Sequence, residues 1–519
     1  MRRYFAPSDE PCPRNPHFPP QVERHLAAPE GAGRLSNPSY AGEAGSRECG
    51  DLVRIELEVR AGRIVESGFQ AYGCPAAIAG GSAVAGAVRD RSFLEAAGLG
   101  EDWITGALGY QTPGHRRCPA LAVDALHEAL RQWAEDPEAD LQAPSPASEA
   151  LDEKDGPAEP GRDPVRKGVL VGMSGGVDSS VAALMLSRAD YRVVGVTFLL
   201  WSDPACGLEN SCCSPEGVRE ARRAAHQLGI PHFTLDLSGD FYAEVVEYFV
   251  EEYRQARTPN PCVRCNASIR FRELARLADR LGLEAIATGH YARVETEGSG
   301  RSRLRRGVDP GKDQSYVLAQ VPPELLARLE LPLGGLRKEE VRHLAAEAGI
   351  RSHARPESQD ICFVPDDDYR RFLRERLQPV PGPIVDTGGR RLGSHAGLHN
   401  FTIGQRKGLG IAAGRPLYVT QMRSADRALV VGTAEEALAD VVEVLEVVRH
   451  RAELPAVLEV QLRSSGEVRT VRVAKSENGR LKLLLDEPVR GAAPGQQAVL
   501  YDGVEVVAAG TILAGGRKL

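Results

Sequence analysis

No run of about 18 consecutive apolar residues occurs in this 519-residue chain, so nothing in it reads as a membrane-spanning helix. The opening residues, MRRYFAPSDEPCPRNP, lack the apolar stretch of a secretory signal. Both absences predict a soluble, cytoplasmic protein. Aromatic residues are sparse at 5%. The ten cysteines, at 12, 49, 74, 118, 206, 212, 213, 262, 265 and 362, are too few to staple a chain of this size. In a reducing compartment they read as catalytic or metal-binding thiols. Lysine is nearly missing, with 8 Lys against 56 Arg, a bias that selects no function by itself. What remains is globular: 42% hydrophobic and 26% charged residues exclude wholesale disorder and collagen-like repetition. The length predicts several domains.

The net charge of -7 is concentrated in one segment. Residues 136–164 hold nine acids, two bases and six prolines, which accounts for the entire deficit. A stretch so acidic and so poor in large apolar residues cannot offset its ordering entropy, and it predicts an extended tether between two functional units. The expected organisation is an extension over 1–33, an α+β domain over 34–135, a linker over 136–166, a catalytic α/β domain over 167–370, a small central domain over 371–440 and an all-β domain over 441–519.

After the tether, strands are expected at Gly168 to Met173, Arg192 to Leu200, around His232 to Leu237 and at Ala285 to Thr288. Helices are expected over Asp178 to Ala189 and Glu216 to Leu228, and from Phe241 and Asn266. This β-α-β-α order implies a doubly wound parallel sheet whose ligand crevice lies at the carboxyl ends of its strands. From Val441 onward the β-branched, alternating segments VVEVLEVV, AVLEVQLR, VRTVRVA, RLKLLL and GVEVVAAGTIL predict a small antiparallel barrel. Near the start, Asp51 to Val59 and Arg63 to Ala71 alternate like a hairpin about Ala61-Gly62, and Leu121 to Trp133 has helical spacing.

Between the first strand and first helix of the α/β domain lies Gly172-Met173-Ser174-Gly175-Gly176-Val177-Asp178-Ser179-Ser180. Its small residues let the backbone approach a polyphosphate, the helix start offers amides, and Ser179 and Ser180 offer hydroxyls. Asp178 is placed to hold a magnesium ion. The loop lacks the lysine of a Walker A motif. It resembles instead the pyrophosphate loop of ATP pyrophosphatases, which implies cleavage of ATP to AMP and pyrophosphate. That resemblance alone leaves amidation, citrulline ligation and sulfur insertion open.

Two cysteine segments decide among these. In Thr258-Pro-Asn-Pro-Cys-Val-Arg-Cys-Asn266 the prolines hold the approach non-helical, which puts Cys265 near a helix start, where the dipole and Arg264 favour a thiolate. A structural zinc half-site is the alternative for this CxxC, although a second nearby pair is absent. Cys362 lies in Ser358-Gln-Asp-Ile-Cys-Phe363. Together with GMSGGVDSS, ATGHYARV, KDQSYVLA and GLHNFTIGQRKGLGIA, in order, these stretches resemble the tRNA 2-thiouridylases of the MnmA type over about 350 residues.

The resemblance implies ATP-dependent activation of the C2 oxygen of a wobble uridine in tRNA, then its replacement by sulfur from a cysteine desulfurase or another donor. The nucleic-acid partner it implies is tRNA, not DNA. Cys362 would carry a persulfide and Cys265 would act as nucleophile, with a Cys265–Cys362 disulfide as end product. Phe198 and Gly289 would join the loop Gly172 to Ser180 around ATP. Asn260, Pro261 and Cys262 would approach the target base, and His290, Lys312, Asp313, Gln314, Arg463 and Gln496 would touch tRNA. Many relatives carry Asp at the position of Cys262. With cysteine there, Cys262, Cys265 and Cys362 are also candidate ligands of a four-iron four-sulfur cluster.

The amino-terminal unit contains Glu48-Cys-Gly-Asp51, Gly73-Cys-Pro75 and Arg117-Cys-Pro-Ala-Leu-Ala122. These resemble the iron-sulfur scaffold domains of the IscU/NifU type, which implies Cys49, Asp51, Cys74 and Cys118 as a ligand set. Arg117 stands where that family commonly has His, and the stretch after Cys74 is Gly-rich, so a purely structural domain is the competing reading. For the whole chain the alternatives to a tRNA-thiolating enzyme are a cluster carrier whose ATPase half only regulates transfer, and a small-molecule amidating enzyme. The thiolating reading requires the fold to bring Cys265 and Cys362 to the mouth of the nucleotide pocket.

Overall fold

Ala61 and Gly62, with φ of 49° and 74°, form the turn expected between two strands. Left-handed conformations at both central residues match the twist of a hairpin. In the computed structural model, which describes residues 18–45, 50–110, 117–136, 166–201, 215–298, 300–350, 361–364, 368–411 and 413–517, the chain divides into two compact units. One comprises Met1–Ser238, Leu274–Gly289 and Glu339–Pro356, and the other the remainder.

The first unit begins with α1 (Pro20–Ala27) and β1 (Tyr40–Gly45), followed by the hairpin strands β2 (Leu52–Arg60) and β3 (Arg63–Tyr72). They form an antiparallel sheet in the order β1-β2-β3. Helices α2 (Pro75–Val88), α3 (Phe93–Ala97), α4 (Glu101–Ala107) and α5 (Arg117–Glu135) follow. Strand β1, YAGEAG, carries no strand signal, because small residues replace the β-branched ones. They are there for proximity: a Cβ on Gly42 would lie 2.0 Å from the Ala125 carbonyl oxygen of α5. The glycines that depart from the scaffold pattern in α2 have the same cause, since a Cβ on Gly81 would meet the Phe69 ring at 2.4 Å.

The α/β part of this unit contains β4 (Gly168–Gly172), α6 (Val177–Arg188), β5 (Arg192–Leu199), α7 (Pro215–Gln227), β6 (His232–Asp236) and, after Phe271–Arg280, β7 (Ala285–Thr288). These agree with the expected strands and helices. The strands pair in parallel in the order β7-β4-β5-β6, with β6 at the edge. Val169, Val171, Ala183, Ala221 and Ala225, all fully buried, lie in the core between sheet, α6 and α7.

The scaffold-like domain packs on this edge through α5. Trp133, 3% exposed, stacks on Phe93 at 4.2 Å and lies 5.9 Å from the Phe233 ring of β6. The Asp236 amide donates to the Glu135 carboxylate. His226 of α7 bonds the Ala97 carbonyl at 3.1 Å.

In the second unit, a helical region over Gly239–Arg254 is followed by Pro261–Glu273. The hairpin Ala292–Arg306 was expected within the catalytic domain, but it adds to the barrel sheet through Arg305 opposite Glu505. Four short strands between Gly382 and Gly432 form the central sheet. Six strands from Leu438 to Gly516 close on themselves, since Leu438–Arg449 pairs with both Arg480–Arg490 and Glu505–Gly516. The barrel was expected; its strand Gln497–Asp502 was not separately recognised. Among the described residues no helix is long and apolar enough to cross a membrane.

Burial holds the pKa of His226 down to about 4, from 6.5, opposed by the Ala97 carbonyl and reinforced by the Arg222 charge. The unfolded chain therefore takes up a proton that the fold refuses. This contribution is complete above pH 6.5 and is lost as pH falls toward 4, about 2 kcal/mol between pH 7 and pH 5. Urea unfolding at the two pH values should show that loss, and His226→Gln should reduce it.

Candidate functional site

Gly175 has φ +75°, and a Cβ there would lie 2.5 Å from the Gly217 carbonyl oxygen. Glycine is thus required twice, for conformation and for the approach of α7 to the loop. On the other side, a Cβ on Gly289 would fall 2.7 Å from the Asp178 carbonyl carbon and the Ser179 amide nitrogen, so the end of β7 presses directly on the first turn of α6. That helix starts at Gly176 without a side-chain cap. Its first-turn amides form the kind of anion-binding start that suits a polyphosphate.

The serines divide their roles. Ser174 is exposed, and its amide donates to Ser179 Oγ at 3.1 Å. Ser180 is fully buried and donates its hydroxyl to the Gly176 carbonyl at 2.9 Å. The expectation that Ser180 offers its hydroxyl to phosphate is therefore corrected: it braces the turn. Met173 is buried, with its amide on the Val196 carbonyl and its own carbonyl accepting from Thr197, and Phe198 is buried near the end of β5. Gly217 was missed, although a glycine in the first turn of a helix was a usable signal.

In the second unit, Asn260 caps the helix that begins at Pro261, accepting from the Val263 amide at 3.2 Å. The helix thus starts five residues earlier than expected. Cys262 occupies its first turn, and Cys265 lies deeper, buried, immediately before a π-helical turn at Asn266–Arg270. Such turns recur at functional sites and are invisible to a 3.6-residue periodicity. Burial pushes the Cys265 thiol up, and Arg270 opposes this. Arg264, expected to favour the thiolate, lies over the Tyr248 ring and donates to the Glu244 carbonyl. That expectation is corrected: burial favours the protonated thiol, and the cation acting on it is Arg270.

Cys362 is half-buried in a turn. Its neighbour Phe363 packs edge-on against Phe241 and Phe249, at 5.8 and 5.3 Å. The helix carrying Cys265 packs on Tyr242–Val246 of the same helical region. One helical region therefore supports both cysteine segments.

The residues expected to touch tRNA are mostly engaged within the protein. Gln496 donates to the Thr258 and Pro259 carbonyls at 3.0 and 3.4 Å, and the Thr258 amide donates to Pro494. A barrel loop thereby holds the lead-in to Cys262. Asp313 accepts from Arg306 and Ser315, and Gln314 accepts from the Tyr291 amide. His290 lies against Phe271, and burial drives its pKa to about 3, with Arg270 adding to the effect. Lys312 is partly exposed and Arg463 exposed.

In the scaffold-like domain, ligand atoms of Asp51, Cys74 and Cys118 all lie within 4.8 Å of one another. Asp51 is 4% exposed; its Oδ1 accepts from the Cys74 amide at 3.0 Å, while its buried Oδ2 has no hydrogen-bond partner among the described residues. A buried carboxylate oxygen without a donor, beside two thiols, fits a metal centre. Hydrogen bonding with Cys118 lowers the Cys74 thiol, against burial and the Asp51 charge. Cys49 lies outside the described residues, as do Cys206, Cys212 and Cys213. Cys262, Cys265 and Cys362, which are described, do not form such a group.

Four family models match in succession: the NifU-like N terminal domain over residues 18–140, the tRNA methyl transferase HUP domain over 167–366, the tRNA methyl transferase PRC-barrel domain over 370–433 and the aminomethyltransferase beta-barrel domain over 441–512. The chain is 47% identical over 505 residues to the bifunctional protein NifU/MnmA of Rubrobacter xylanophilus, covering 95% of this chain and 98% of the relative. It is 46% identical over 351 residues to the tRNA-specific 2-thiouridylase MnmA of Chloroflexus aggregans, covering 66% of this chain and 98% of the relative.

The contact at Gly289 leaves no room for a methyl group without moving the loop. Gly289→Ala should weaken ATP binding about fivefold or more, as overpacking at backbone costs roughly 1–3 kcal/mol; equilibrium dialysis with labelled ATP would expose an unaffected site.

Proposed function

The chain belongs to the family of bifunctional NifU/MnmA proteins and is a tRNA 2-thiouridylase, and from this premise we propose how its residues divide the reaction. The loop Gly172 to Ser180, with Phe198 and Gly289, binds ATP, and Asp178 would hold a magnesium ion, which would neutralise charge on the phosphates. The C2 oxygen of the wobble uridine attacks the α-phosphorus, pyrophosphate leaves, and the oxygen becomes part of an AMP leaving group. Asn260, Pro261 and Cys262 lie beside the base, Lys312 and Arg463 face the tRNA backbone, and His290, Asp313, Gln314 and Gln496 support that surface.

Sulfur arrives as a persulfide on Cys362. Its terminal sulfur bonds to C2 as the C2–O bond breaks and AMP departs. Cys265 then attacks the inner sulfur of Cys362, and the S–S bond to the transferred sulfur breaks. The two cysteines supply the two electrons that reduce sulfane sulfur, and they finish as a disulfide that an external thiol must reduce. The burial of Cys265 keeps it protonated until this step, with Arg270 available to stabilise the thiolate as it forms. The observation that carries this reading is the support of both cysteine segments by one helical region.

The amino-terminal domain holds an iron-sulfur cluster or sulfur as cargo at Asp51, Cys74 and Cys118, with Cys49 as a further ligand. A cysteine desulfurase is the donor class that suits these thiols.

Cys265→Ser and Cys362→Ser should each reduce 2-thiouridine to background, because oxygen does not carry sulfane sulfur; nucleoside mass spectrometry after incubation with tRNA, ATP and a sulfur donor reads this directly. Thiolation surviving either change would refute the assignment. Anaerobic reconstitution should load less iron into Cys74→Ser and Cys118→Ser than into the parent chain, while Cys265→Ser loads normally. Affinity for tRNA should fall as salt rises, since phosphate contacts release counterions; a flat salt titration would contradict a backbone-tracking surface.

A further inference from the structure

The α/β domain presents three arginines to the scaffold-like domain, and each meets a group it can pair with. Arg222 Nη1 lies 2.7 Å from Asp124, with side-chain exposures of 13% and 15%. Arg223 lies 3.2 Å from Glu101. Arg280, 8% exposed, donates to the Trp133 and Ala134 carbonyls at 2.7 and 3.0 Å, and so caps the carboxyl end of α5. Trp133 supplies the apolar anchor between them. The occupied surface includes β6, the edge strand of the parallel sheet, whose Asp236 amide is satisfied by Glu135.

An open edge strand is a pairing hazard that proteins cover, and here the cover comes from the other domain. The charge pattern is specific: basic groups on one side, acidic groups and helix carbonyls on the other. A nearly buried ion pair contributes little against a hydrophobic pair, but removing one member leaves the other uncompensated, which selects the matching partner. We propose that β6, α7 and Arg280 form a dedicated receptor for the chain's own scaffold domain, which stays docked there independently of the 136–164 tether. The surface recognises a helix of the α5 type bearing an acid at the position of Asp124 and an aromatic at that of Trp133.

Docking also sets a distance. Along α5, Cys118 is about 9 Å from Asp124, and along α7, Arg222 is about 7.5 Å from Gly217, at 1.5 Å per residue. Gly217 in turn touches the phosphate loop at Gly175. The Asp51, Cys74 and Cys118 group is therefore held at a fixed separation from the loop instead of sampling the range a free tether allows.

The test is made on the full-length chain with a protease site introduced between Asp136 and Arg166, cut after purification. At about 1 μM, far below the millimolar effective concentration of a short tether, the two fragments should still co-elute in size-exclusion chromatography. Asp124→Arg and Arg222→Asp should each weaken their association by about 30-fold or more. Combining Asp124→Arg with Arg222→Asp should restore most of it, and this reciprocal variant keeps the test decisive where a single change unfolds a domain. Separation of the parent fragments on cutting would overturn the proposal. So would fragment affinities within about twofold of the parent in both single variants.

Discussion

Helix α7 is the element on which the first unit depends. At its start, Gly217 presses its carbonyl against Gly175 and so sets how far the phosphate loop can relax. One turn and a half later Arg222 meets Asp124, and at its end His226 reaches Ala97. Its inner face, with Ala221 and Ala225 fully buried, packs on the sheet. These demands leave little freedom in side-chain size. A side chain at 175 would push the helix off the loop, and a residue larger than alanine at 221 would push it off the sheet.

The second unit follows a parallel logic. The thiol segments are not self-supporting: Cys265 precedes a π-helical turn, and Cys362 lies in a short turn. Both are placed by neighbours. Aromatic packing of Phe363 on Phe241 and Phe249 anchors one, and the Pro494-to-Gln496 barrel loop grips the backbone that leads into the other. This explains why a β-barrel tail belongs to a thiolating enzyme beyond any contact with tRNA: it fixes the approach to Cys262 and Cys265. In the scaffold domain, too, the ligand geometry is set by backbone, because the Cys74 amide orients Asp51 while the second carboxylate oxygen remains available.

Much of this was legible beforehand because it depends on local pattern. The parallel strands are continuous apolar runs, the β2–β3 turn has Gly62, which tolerates positive φ, and the phosphate loop is a contiguous motif between a strand and a helix. Strand β1 and helix α2 were not legible as such, since Gly42 and Gly81 are chosen by what lies against them, Ala125 and Phe69, far away in the chain. The same holds for Gln496 and Asp313: their residue types suggested surface chemistry, whereas each satisfies backbone or an arginine inside its own unit.

By itself the sequence determined the family, the parallel sheet with its glycine-rich loop, and the barrel, because each rests on residue type and spacing within a short window. Only the tertiary structure decided that Ser180 braces the loop, that Arg270 and not Arg264 acts on Cys265, and that α5 covers the β6 edge. Those outcomes depend on burial and on approaches between residues distant in the chain. Such distances arise only when the cores close, and no local pattern encodes them.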